Sequence, residues 1–448
     1  MDQLLDGLAR SAVKASEIDK SLFDEYNVKR GLRNADFSGV LVGLTRIGDV
    51  VGYDKTDGQI VPKDGELYYR GIEIQDLARG FQRDGRHGFE ETAYLLLSGK
   101  LPNQEELAHF INILAEEREL PSFFSKSMIL SLHGRNIMNM LARSVLALYV
   151  ADDEAENYSP INLVRQSLSL IAKFPVIVAY SYFGMRHSYQ RKSLVIRHPQ
   201  PELSLAENFL YMMKGSKYTK LEADLLDLSL VIHAEHGGGN NSTFTTRVVS
   251  SAQTDTYSAI AAALGSLKGD FHGGANIKVC NMMEDIKENV KNWADDGEVA
   301  AYLNKLLNKE AFDKSGKIYG IGHAIYTKSD PRCILLKEKA RELAIEKNRL
   351  DEFNLYDAVE RLAPALFYRF KSHTSKVVSA NVDFYSGFVY ECINIPQEIY
   401  TPIFAIARIA GWAAHRIEEV TFTSKRIIRP AYKNVGERHT YISLDQRS

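Results

Sequence analysis

Cysteine is scarce in this sequence, and neither charge is in excess. The 448 residues include three cysteines, each within an apolar segment of helical spacing. A small and odd number of this kind is typical of free thiols in a reducing compartment. Lysine and arginine number 55 and aspartate and glutamate 57, so the net charge is −2 and no overall field attracts nucleic acid or an anionic membrane surface. Any binding partner must therefore be recognised by local features of the chain.

Targeting segments and membrane spans are not recognised either. The first twenty residues carry acids early and lack a basic segment followed by an apolar one, so we expect neither a secretory signal nor a transit peptide. The most apolar run, residues 174–185, contains Pro175 and is too short to cross a bilayer. These features predict a soluble cytoplasmic protein with no membrane partner.

Two familiar motifs, one for nucleotides and one for metals, are incomplete. Isoleucine occupies position 325, where a GxGxxG loop beginning at Gly320 requires its third glycine, and no GxxxxGK[ST] loop occurs. His233 and His236 lie three residues apart, but their segment HAEH is not HExxH, and the chain has no CxxC pair. We therefore expect no bound metal, and we interpret His233 as a structural histidine satisfied within its helix.

Hydrophobic spacing predicts a mainly helical chain with one small β region. Residues 3–33 indicate a polar-faced helical arm. Residues 41–70 indicate a β-hairpin region, with turns at the Asp-Gly pairs 57–58 and 64–65. After the hairpin, apolar residues recur at intervals of three and four and are separated by Gly, Pro, Asn or Ser. Pro175 is expected to kink or end one of these helices.

Two helices next to glycine-rich segments can be placed from their caps. Thr254 or Asp255 begins an alanine-rich helix that ends just before Gly269. Its thin alanine faces predict close packing on several sides, in an interior or at a subunit interface. Asp330 caps a second helix, with Pro331 in the first helical position.

Three histidines lie beside glycines, where the backbone can approach a ligand closely. They are His236 before Gly-Gly-Gly, His272 before Gly-Gly-Ala-Asn, and His323 after Gly-Ile-Gly. Helical spacing resumes after His272, so this ring is expected near free backbone N–H groups and the positive end of a helix dipole. That position disfavours the imidazolium and predicts a neutral hydrogen-bond donor.

Three charged residues lie beside a helix start or within apolar segments, where a charge is unusual. Arg332 adds a cation beside a helix N-terminus, where it either binds an anion or extends over the helix surface. Asp383 lies in an apolar and aromatic run, either as a helix cap or as a partly dehydrated base. Arg408 lies on a helix fit for a core, with no acid on that helix until Glu418, so our hypothesis is a bound anion. Together these residues predict a site for an acidic metabolite.

Several separated segments give the chain a resemblance to a known family. They include LKGDFHGGAN, GIGHAIYTKSDPR, NVDFYSG, IFAIARIAGWAAH and RIIRP, preceded by His236 with its Gly/Asn-rich turn. In this order they resemble citrate synthase. The resemblance implies a mainly α, two-domain, all-helical fold with a small N-terminal β-hairpin region. It further implies a dimer-forming large helical domain, residues 1–276 and 386–448, and a small helical domain, residues 277–385, that closes over the active site.

The resemblance also implies roles for individual residues. His272 is similar to the donor to the thioester oxygen of acetyl-CoA, Asp383 to the base that removes the methyl proton, and His323 to the group that polarises the ketone of oxaloacetate. The residues similar to oxaloacetate ligands are His236, Arg332, Arg408 and, from across the dimer interface, Arg429. Those similar to CoA-binding residues are Ile318, Gly320, Ile321, Gly322, Ala324, Lys328, Lys376 and Asn381.

The activity implied is the condensation of acetyl-CoA with oxaloacetate, followed by hydrolysis of citryl-CoA to citrate and CoA. It needs two small-molecule substrates and a homodimer, with no nucleic acid, metal or redox cofactor. A 2-methylcitrate synthase that uses propionyl-CoA is an alternative, since one methylene changes specificity by only about 1–3 kcal/mol. An inactive helical scaffold that binds acyl-CoA is an alternative of another class, and the joint presence of His272, His323 and Asp383 argues against it.

Two residues depart from the pattern of the family. Asp270 precedes Phe271-His272, where a proline is more usual. Thr327 stands where some members carry an arginine that binds phosphate, which leaves Lys328 or Lys376 as candidates for the CoA phosphates. The departures affect the expected CoA contacts and leave the reaction class unchanged.

Overall fold

Residues 2–446, apart from 35, 37, 58 and 371–376, are described by the computed structural model. The chain falls into two units, of which one combines Met1–Val42 with Ile428–Ser448 and the other is Gly43–Ile427. The predicted large and small helical domains divide the chain elsewhere, at residues 277 and 386, and these boundaries stay a prediction.

The first unit contains short helices with exposed surfaces. They are α1 (Asp2–Ala15), α2 (Ser21–Glu25) and single 3₁₀ turns at Arg30–Leu32 and Leu444–Gln446. Even an apolar side chain of α1, Leu4, is 71% exposed. The predicted helical arm at residues 3–33 is confirmed, although turns divide it into three pieces.

An antiparallel hairpin begins the second unit. Its strands are β1 (Gly48–Thr56), β2 (Gln59–Tyr69) and the short β3 (Ile72–Glu73), in the order β1-β2-β3. The pairing shifts between Val51 with Glu66 and Tyr53 with Pro62, so that a bulge interrupts the ladder.

The turn predicted at the second Asp-Gly pair is wrong, because Asp64 and Gly65 lie in this bulge within β2. Gly65 is needed for close approach and not for a turn. A Cβ there would lie 2.3 Å from the backbone oxygen of Ser329, which leaves no room for a side chain. The first pair behaves as predicted at Asp57, which adopts a turn with a φ of 52°.

Helices make up most of the second unit and confirm the mainly α prediction. In chain order they are α3 (Ile74–Arg83), α4 (Phe89–Ser98), α5 (Gln104–Glu116), α6 (Ile137–Leu148), α7 (Pro160–Gln190), α8 (Leu205–Lys214), α9 (Lys220–His233), α10 (Asn241–Ser251), α11 (Thr256–Leu267), α12 (Ala275–Asn289), α13 (Asp296–Leu307), α14 (Pro331–Glu346), α15 (Leu350–Phe370), α16 (Asp383–Cys392) and α17 (Tyr400–Thr421). A π-helical turn at Ser125–Leu130 and 3₁₀ turns at Tyr149–Ala151 and Gln397–Ile399 complete the set that the structure describes.

Two long helices run through the core. α17 packs against α4, α7, α9, α10 and α11, and alanines and Gly411 let these neighbours approach. α7 is 31 residues long and continues through Pro175, so the proline does not end it. By length and composition alone α7 could cross a membrane, and it is the one described helix that meets this criterion. However, 94% of its apolar window is buried inside the protein, as expected for a core helix.

The two helix starts predicted from caps are confirmed. Asp255 accepts a hydrogen bond from the backbone N–H of Ser258 at 2.8 Å and begins α11. Asp330 accepts one from the backbone N–H of Arg332 at 3.0 Å and begins α14, with Pro331 in first position. The alanine-rich α11 packs between α6, α10 and α17, as its thin faces predict.

Candidate active site

The second unit bears six of the predicted site residues, five of them in loops or in the first turn of a helix. They are His236 after α9, His272 before α12, His323 before α14, Arg332 and Asp383 in the first turns of α14 and α16, and Arg408 within α17. Arg429 belongs to the first unit, where its side chain is exposed. Lys376 lies outside the described residues.

Three rings form a packed cluster at this site. The ring centroids of His236 lie 5.2 Å from His323 and 5.5 Å from Tyr326, in edge contacts. Tyr326 stacks on His323 with a centroid distance of 4.6 Å. Burial, together with the nearby charge of Arg332, holds the pKa of His236 well below its ordinary value. Its Nε2 is buried and meets no hydrogen-bond partner among the described residues, so a neutral ring nitrogen is available for a ligand.

The hydrogen bonds of His323 determine which ring nitrogen carries the proton. Nδ1 accepts backbone N–H groups from Ile325 at 3.0 Å and from Tyr326 at 3.1 Å. A nitrogen that accepts these bonds is unprotonated, so the proton of the neutral ring is on Nε2. His323 is therefore held as a hydrogen-bond donor through Nε2.

Arg332 and Asp330 form a buried ion pair at the start of α14. The guanidinium donates from Nε to Oδ1 at 3.0 Å and from Nη2 to Oδ2 at 2.7 Å. Burial opposes both charges, but Asp330 raises the pKa of Arg332 and Arg332 lowers the pKa of Asp330. Because Arg332 is only 4% exposed, the alternative that it extends over the helix surface is wrong. Asp330 also accepts the backbone N–H of Val382 at 3.2 Å, which links α14 to the start of α16.

Arg408 is a fully buried cation with few partners. Its Nε donates to the backbone oxygen of His233 at 2.6 Å, and the guanidinium lies 4.6 Å from the ring centroid of Phe404. Nη1 and Nη2 have no hydrogen-bond partner in the described part of the chain. Burial lowers the pKa of Arg408 to about 10, which still leaves it charged at neutral pH. This geometry suits the anion that the sequence analysis hypothesised.

His233 is a structural histidine, as predicted. Its Nδ1 lies 2.7 Å from the backbone oxygen of Ser229, one turn earlier in α9. Burial, reinforced by Arg332, lowers its pKa to about 3, so the ring is neutral. Across the described residues, no three His, Cys, Asp or Glu side chains are grouped to hold a metal ion.

His272 is oriented by a hydroxyl that several groups share. Its Nε2 lies 3.0 Å from Oγ of Ser242, which accepts from the indole N–H of Trp412 at 3.2 Å and donates to Oδ1 of Asn240 at 2.9 Å. When Ser242 donates instead to His272, the ring proton is on Nδ1. Burial and the charge of Arg408 lower the pKa of His272 to about 4. The ring is thus neutral, as predicted, although burial is the main cause.

Asp383 does not cap its helix. Val382 occupies the cap position of α16 without a side-chain bond, and Asp383 is the first helical residue. Its carboxylate is mostly buried, and burial raises the pKa to about 6 although Arg332 and Arg408 act in the opposite direction. The capping interpretation is therefore wrong, and a carboxylate of raised basicity remains.

The extended segment at residues 379–381 supports the loop that contains the predicted CoA-binding residues. Gly322 donates to the backbone oxygen of Ser379 at 2.7 Å, and Asn381 donates from its backbone to Gly320 at 2.9 Å. The side chain of Asn381 donates to the oxygen of Gly322 at 2.8 Å, so this amide shapes the loop. Of the other predicted CoA residues, Ala324 and Lys328 are exposed, whereas Ile318 is buried.

The bulged hairpin holds the other side of this loop. The hydroxyl of Thr327 lies 2.5 Å from the backbone oxygen of Gly52 and 3.0 Å from that of Lys63. Ser329 donates to Oδ1 of Asp64 at 2.9 Å and accepts the N–H of Gly65 at 3.1 Å. Thr327 was predicted only as a position where some related proteins have an arginine. Its hydroxyl anchors the segment between His323 and Arg332.

Sequence reasoning missed a buried acid in the wall of the site. Glu235, between His233 and His236, is 0% exposed and lies 2.9 Å from Nε2 of His415. The signal available in the sequence was an acid in an apolar helix end, next to a candidate ligand. Tyr326 was missed too, because a tyrosine in a loop is compatible with many positions.

A family model for the C-terminal domain of citrate synthase matches residues 36–431. The chain belongs to the citrate synthase family. It is 35% identical to the citrate synthase of Deinococcus radiodurans over 386 residues, which cover 86% of this chain and 93% of that relative. The family recognised from the separated segments is confirmed, and the chain is an enzyme of the transferase type.

A solved structure and a second relative refine the comparison. The structure of the Thermoplasma acidophilum citrate synthase, a ternary complex with carboxymethyl coenzyme A and oxaloacetate, superposes with a TM-score of 0.75 at 26% identity and covers 94% of this chain and 99% of that one. The chain is also 33% identical over 373 residues to a 2-methylcitrate synthase of Shewanella oneidensis, covering 83% and 88% of the two chains. Both activities therefore occur among relatives of similar distance.

Proposed function

We propose that this citrate synthase family member condenses acetyl-CoA with oxaloacetate and hydrolyses citryl-CoA to citrate and CoA. The observation that carries the proposal is the combination of one carboxylate of raised pKa, Asp383, with two neutral histidines, His272 and His323. Unpaired buried nitrogens of His236 and Arg408 complete the set in the described residues.

The first step requires Asp383 to remove a proton from the methyl group of acetyl-CoA. A thioester methyl is a very weak acid, so the developing enolate oxygen needs a positioned donor. His272 fills this role when Ser242 donates to its Nε2, because Nδ1 then holds the proton. The raised pKa of Asp383 brings the base closer to the pH at which it works.

The second step joins the methyl carbon to the ketone carbon of oxaloacetate. His323 donates from Nε2 to the ketone oxygen, which becomes the hydroxyl of citryl-CoA. Arg332, Arg408 and His236 bind the carboxylates of the dianion, and planar guanidinium groups match this geometry. Water then hydrolyses the thioester and releases CoA and citrate.

The remaining assignments follow from the resemblance. The loop residues Ile318, Gly320, Ile321, Gly322, Ala324 and Asn381 form the CoA side, with Lys328 or Lys376 for the phosphates. A small domain closes over the substrates and excludes water. We further propose that the enzyme is a cytoplasmic homodimer that uses no metal or redox cofactor, and that Arg429 reaches the site of the partner subunit.

Steady-state turnover of acetyl-CoA and propionyl-CoA tests the proposal. With saturating oxaloacetate, we expect kcat/KM to be higher for acetyl-CoA, by about tenfold or more if the pocket excludes one methyl group. Both thioesters release CoA, so one thiol assay measures both reactions. A preference for propionyl-CoA would identify a 2-methylcitrate synthase, the activity of the Shewanella oneidensis relative. Turnover of neither would favour the inactive scaffold.

A further inference from the structure

Glu235 is a completely buried carboxylate, one residue before the substrate ligand His236. Oε1 accepts the backbone N–H of Gly237 at 2.6 Å and lies 2.9 Å from Nε2 of His415. Oε2 has no hydrogen-bond partner in the described part of the chain. A fixed negative charge beside a pocket for a dianion repels the substrate and weakens its binding. The presence of Glu235 at this position therefore requires an explanation.

The fold is shaped around this carboxylate. A Cβ added to Gly48 of β1 would lie 2.7 Å from Oε1, and one added to Gly411 of α17 would lie 2.4 Å from Oε2. Either distance is too short for a real contact. Two elements distant in the sequence therefore lack side chains where they meet Glu235.

The donors around Glu235 and the nearby charge of Arg408 favour its ionised form. Nδ1 of His415 accepts from Nε of Arg247 at 3.0 Å, so the ring proton is on Nε2 and is donated to Glu235. Arg247 has its own anions, since it pairs with Glu418 and, at 2.8 Å, with Glu419. Burial alone would raise the pKa of Glu235, but His415 and Arg408 lower it.

Arg408 is the cation whose charge Glu235 stabilises. Arg408, Gly411 and His415 are spaced by three and four residues, so they share the face of α17 along which the carboxylate lies. Arg408 is fully buried, and its two terminal nitrogens are unpaired in the described residues. Of the acids around it, Glu235 stabilises its charge most, ahead of Asp383. A buried cation without such an anion strongly destabilises a fold.

We propose that Glu235 is a positioning residue, the resident counter-ion of Arg408, which holds the charged guanidinium in place before substrate arrives and weakens dianion binding. The inference rests on the proposed function, because it takes oxaloacetate as the dianion that Arg408 binds. Glu235 itself does not touch the substrate. Its charge lets the empty pocket remain folded around an otherwise uncompensated arginine.

Glu235→Gln separates the charge from the hydrogen bonds. Both bonds use Oε1, so the amide oxygen of glutamine can accept both while the charge is lost. We expect oxaloacetate to bind about tenfold more tightly, which is the effect of removing one charge several ångströms away inside a protein. Without oxaloacetate the melting temperature should fall, and oxaloacetate should raise it more than in the wild type. Titration calorimetry and thermal unfolding measure these changes.

Glu235→Asp is the matched control, since it keeps the charge and moves the hydrogen bonds. We expect its affinity for oxaloacetate to stay within about threefold of the wild type. The inference is overturned if the glutamine variant binds no more tightly than the wild type, or if the aspartate variant tightens binding as much as glutamine does. Recovery of the glutamine variant only in the presence of oxaloacetate supports it.

The aspartate variant also decides the case in which glutamine at 235 prevents folding under all conditions. Affinity like that of the wild type then supports a role of the charge, whereas a loss of more than about tenfold assigns the effect to the hydrogen bonds and overturns the inference. Failure of the proposed function looks different. A preference for propionyl-CoA leaves oxaloacetate binding and this inference intact, whereas a chain that does not act on oxaloacetate shows no binding even as the wild type.

Discussion

Asp383 shows how opposing effects adjust a single carboxylate. Dehydration at the start of α16 raises its pKa to about 6, while Arg332 and Arg408 restrain the rise. A fully solvated aspartate would be too weak a base, and a carboxylate without nearby cations would be protonated at neutral pH. The two arginines proposed to bind the dianion therefore also favour the ionised form of Asp383, the proposed base.

Replacing this base with asparagine should remove activity and increase stability. Because the pKa of Asp383 is raised from 3.8 to about 6, its contribution to folding is full below pH 3.8 and is lost as the pH rises through 6. We expect Asp383→Asn to release no CoA and, at pH 8, to gain about 1–3 kcal/mol in the free energy of unfolding. Thiol assays and urea unfolding at pH 4 and pH 8 test this. Normal turnover in the variant would reject Asp383 as the base.

The wild-type enzyme should also lose activity in acid. Protonated Asp383 cannot accept the methyl proton, so kcat/KM for acetyl-CoA should fall about tenfold per pH unit below about 6. A pH-rate profile measures this limb. Asp383→Glu serves as a control that retains a carboxylate, and an unchanged rate down to pH 4 would contradict the assignment.

The β-hairpin explains how the loop with His323 and Arg332 is held. Its bulge brings backbone oxygens of Gly52 and Lys63 to the hydroxyl of Thr327. The loop is thus fixed between the hairpin and α14, and the backbone bonds to Nδ1 fix the ring of His323 within it. The small three-stranded sheet of this mainly helical protein therefore positions the loop that contains His323.

Removing the hydroxyl of Thr327 should loosen this loop. Thr327→Val removes the hydroxyl proton that the backbone oxygens of Gly52 and Lys63 share. A buried acceptor left without its donor destabilises a protein by about 1–3 kcal/mol. We expect a raised KM for oxaloacetate and a lowered kcat, with little change in the KM for acetyl-CoA, because His323 and Arg332 are both proposed to act on oxaloacetate. Steady-state kinetics with each substrate varied measures the effect. Thr327→Ser keeps the hydroxyl and should behave like the wild type. A serine variant as impaired as the valine variant would show that the hydroxyl alone does not explain the effect.

The two ends of the chain form a unit of their own with much exposed apolar surface. Tyr432 is 94% exposed and Tyr441 is 85% exposed. Such surface is typical of segments that are covered in an assembly. Arg429 belongs to this unit, and its proposed role in the partner's active site requires a dimer.

Mixed dimers should restore activity lost in separate variants. Arg429→Ala and Asp383→Asn each disable a site, but in a hybrid dimer one site receives an intact base and an intact arginine. If subunits mix at random, half of the dimers are hybrid and half of their sites are intact, so about a quarter of wild-type activity should return. Unfolding and refolding the two variants together, followed by the thiol assay, measures this. Hybrid dimers without activity would place Arg429 in the site of its own subunit.

Local patterns were sufficient for much of the fold and for the identity of the candidate residues. Asp255 and Asp330 were recognised as caps because capping depends on a few consecutive residues. The turn predicted at the Asp-Gly pair of residues 64–65 was wrong, because the residues that favour a turn also permit a bulge. Asp383 misled in a similar way, because a first-turn acid and a cap differ by one position.

What the sequence determined by itself was the helical class, the family and the residue types that the reaction needs. Those properties reside in spacing and in short motifs. Only the tertiary structure revealed that Thr327 binds the hairpin and that Glu235 lies against the helix α17, which carries Arg408. The carboxylate lies between two glycines 363 positions apart in the chain, 48 and 411. Such contacts join distant segments, and the burial that sets the pKa of Asp383 or the charge of Glu235 exists only once those segments have packed together.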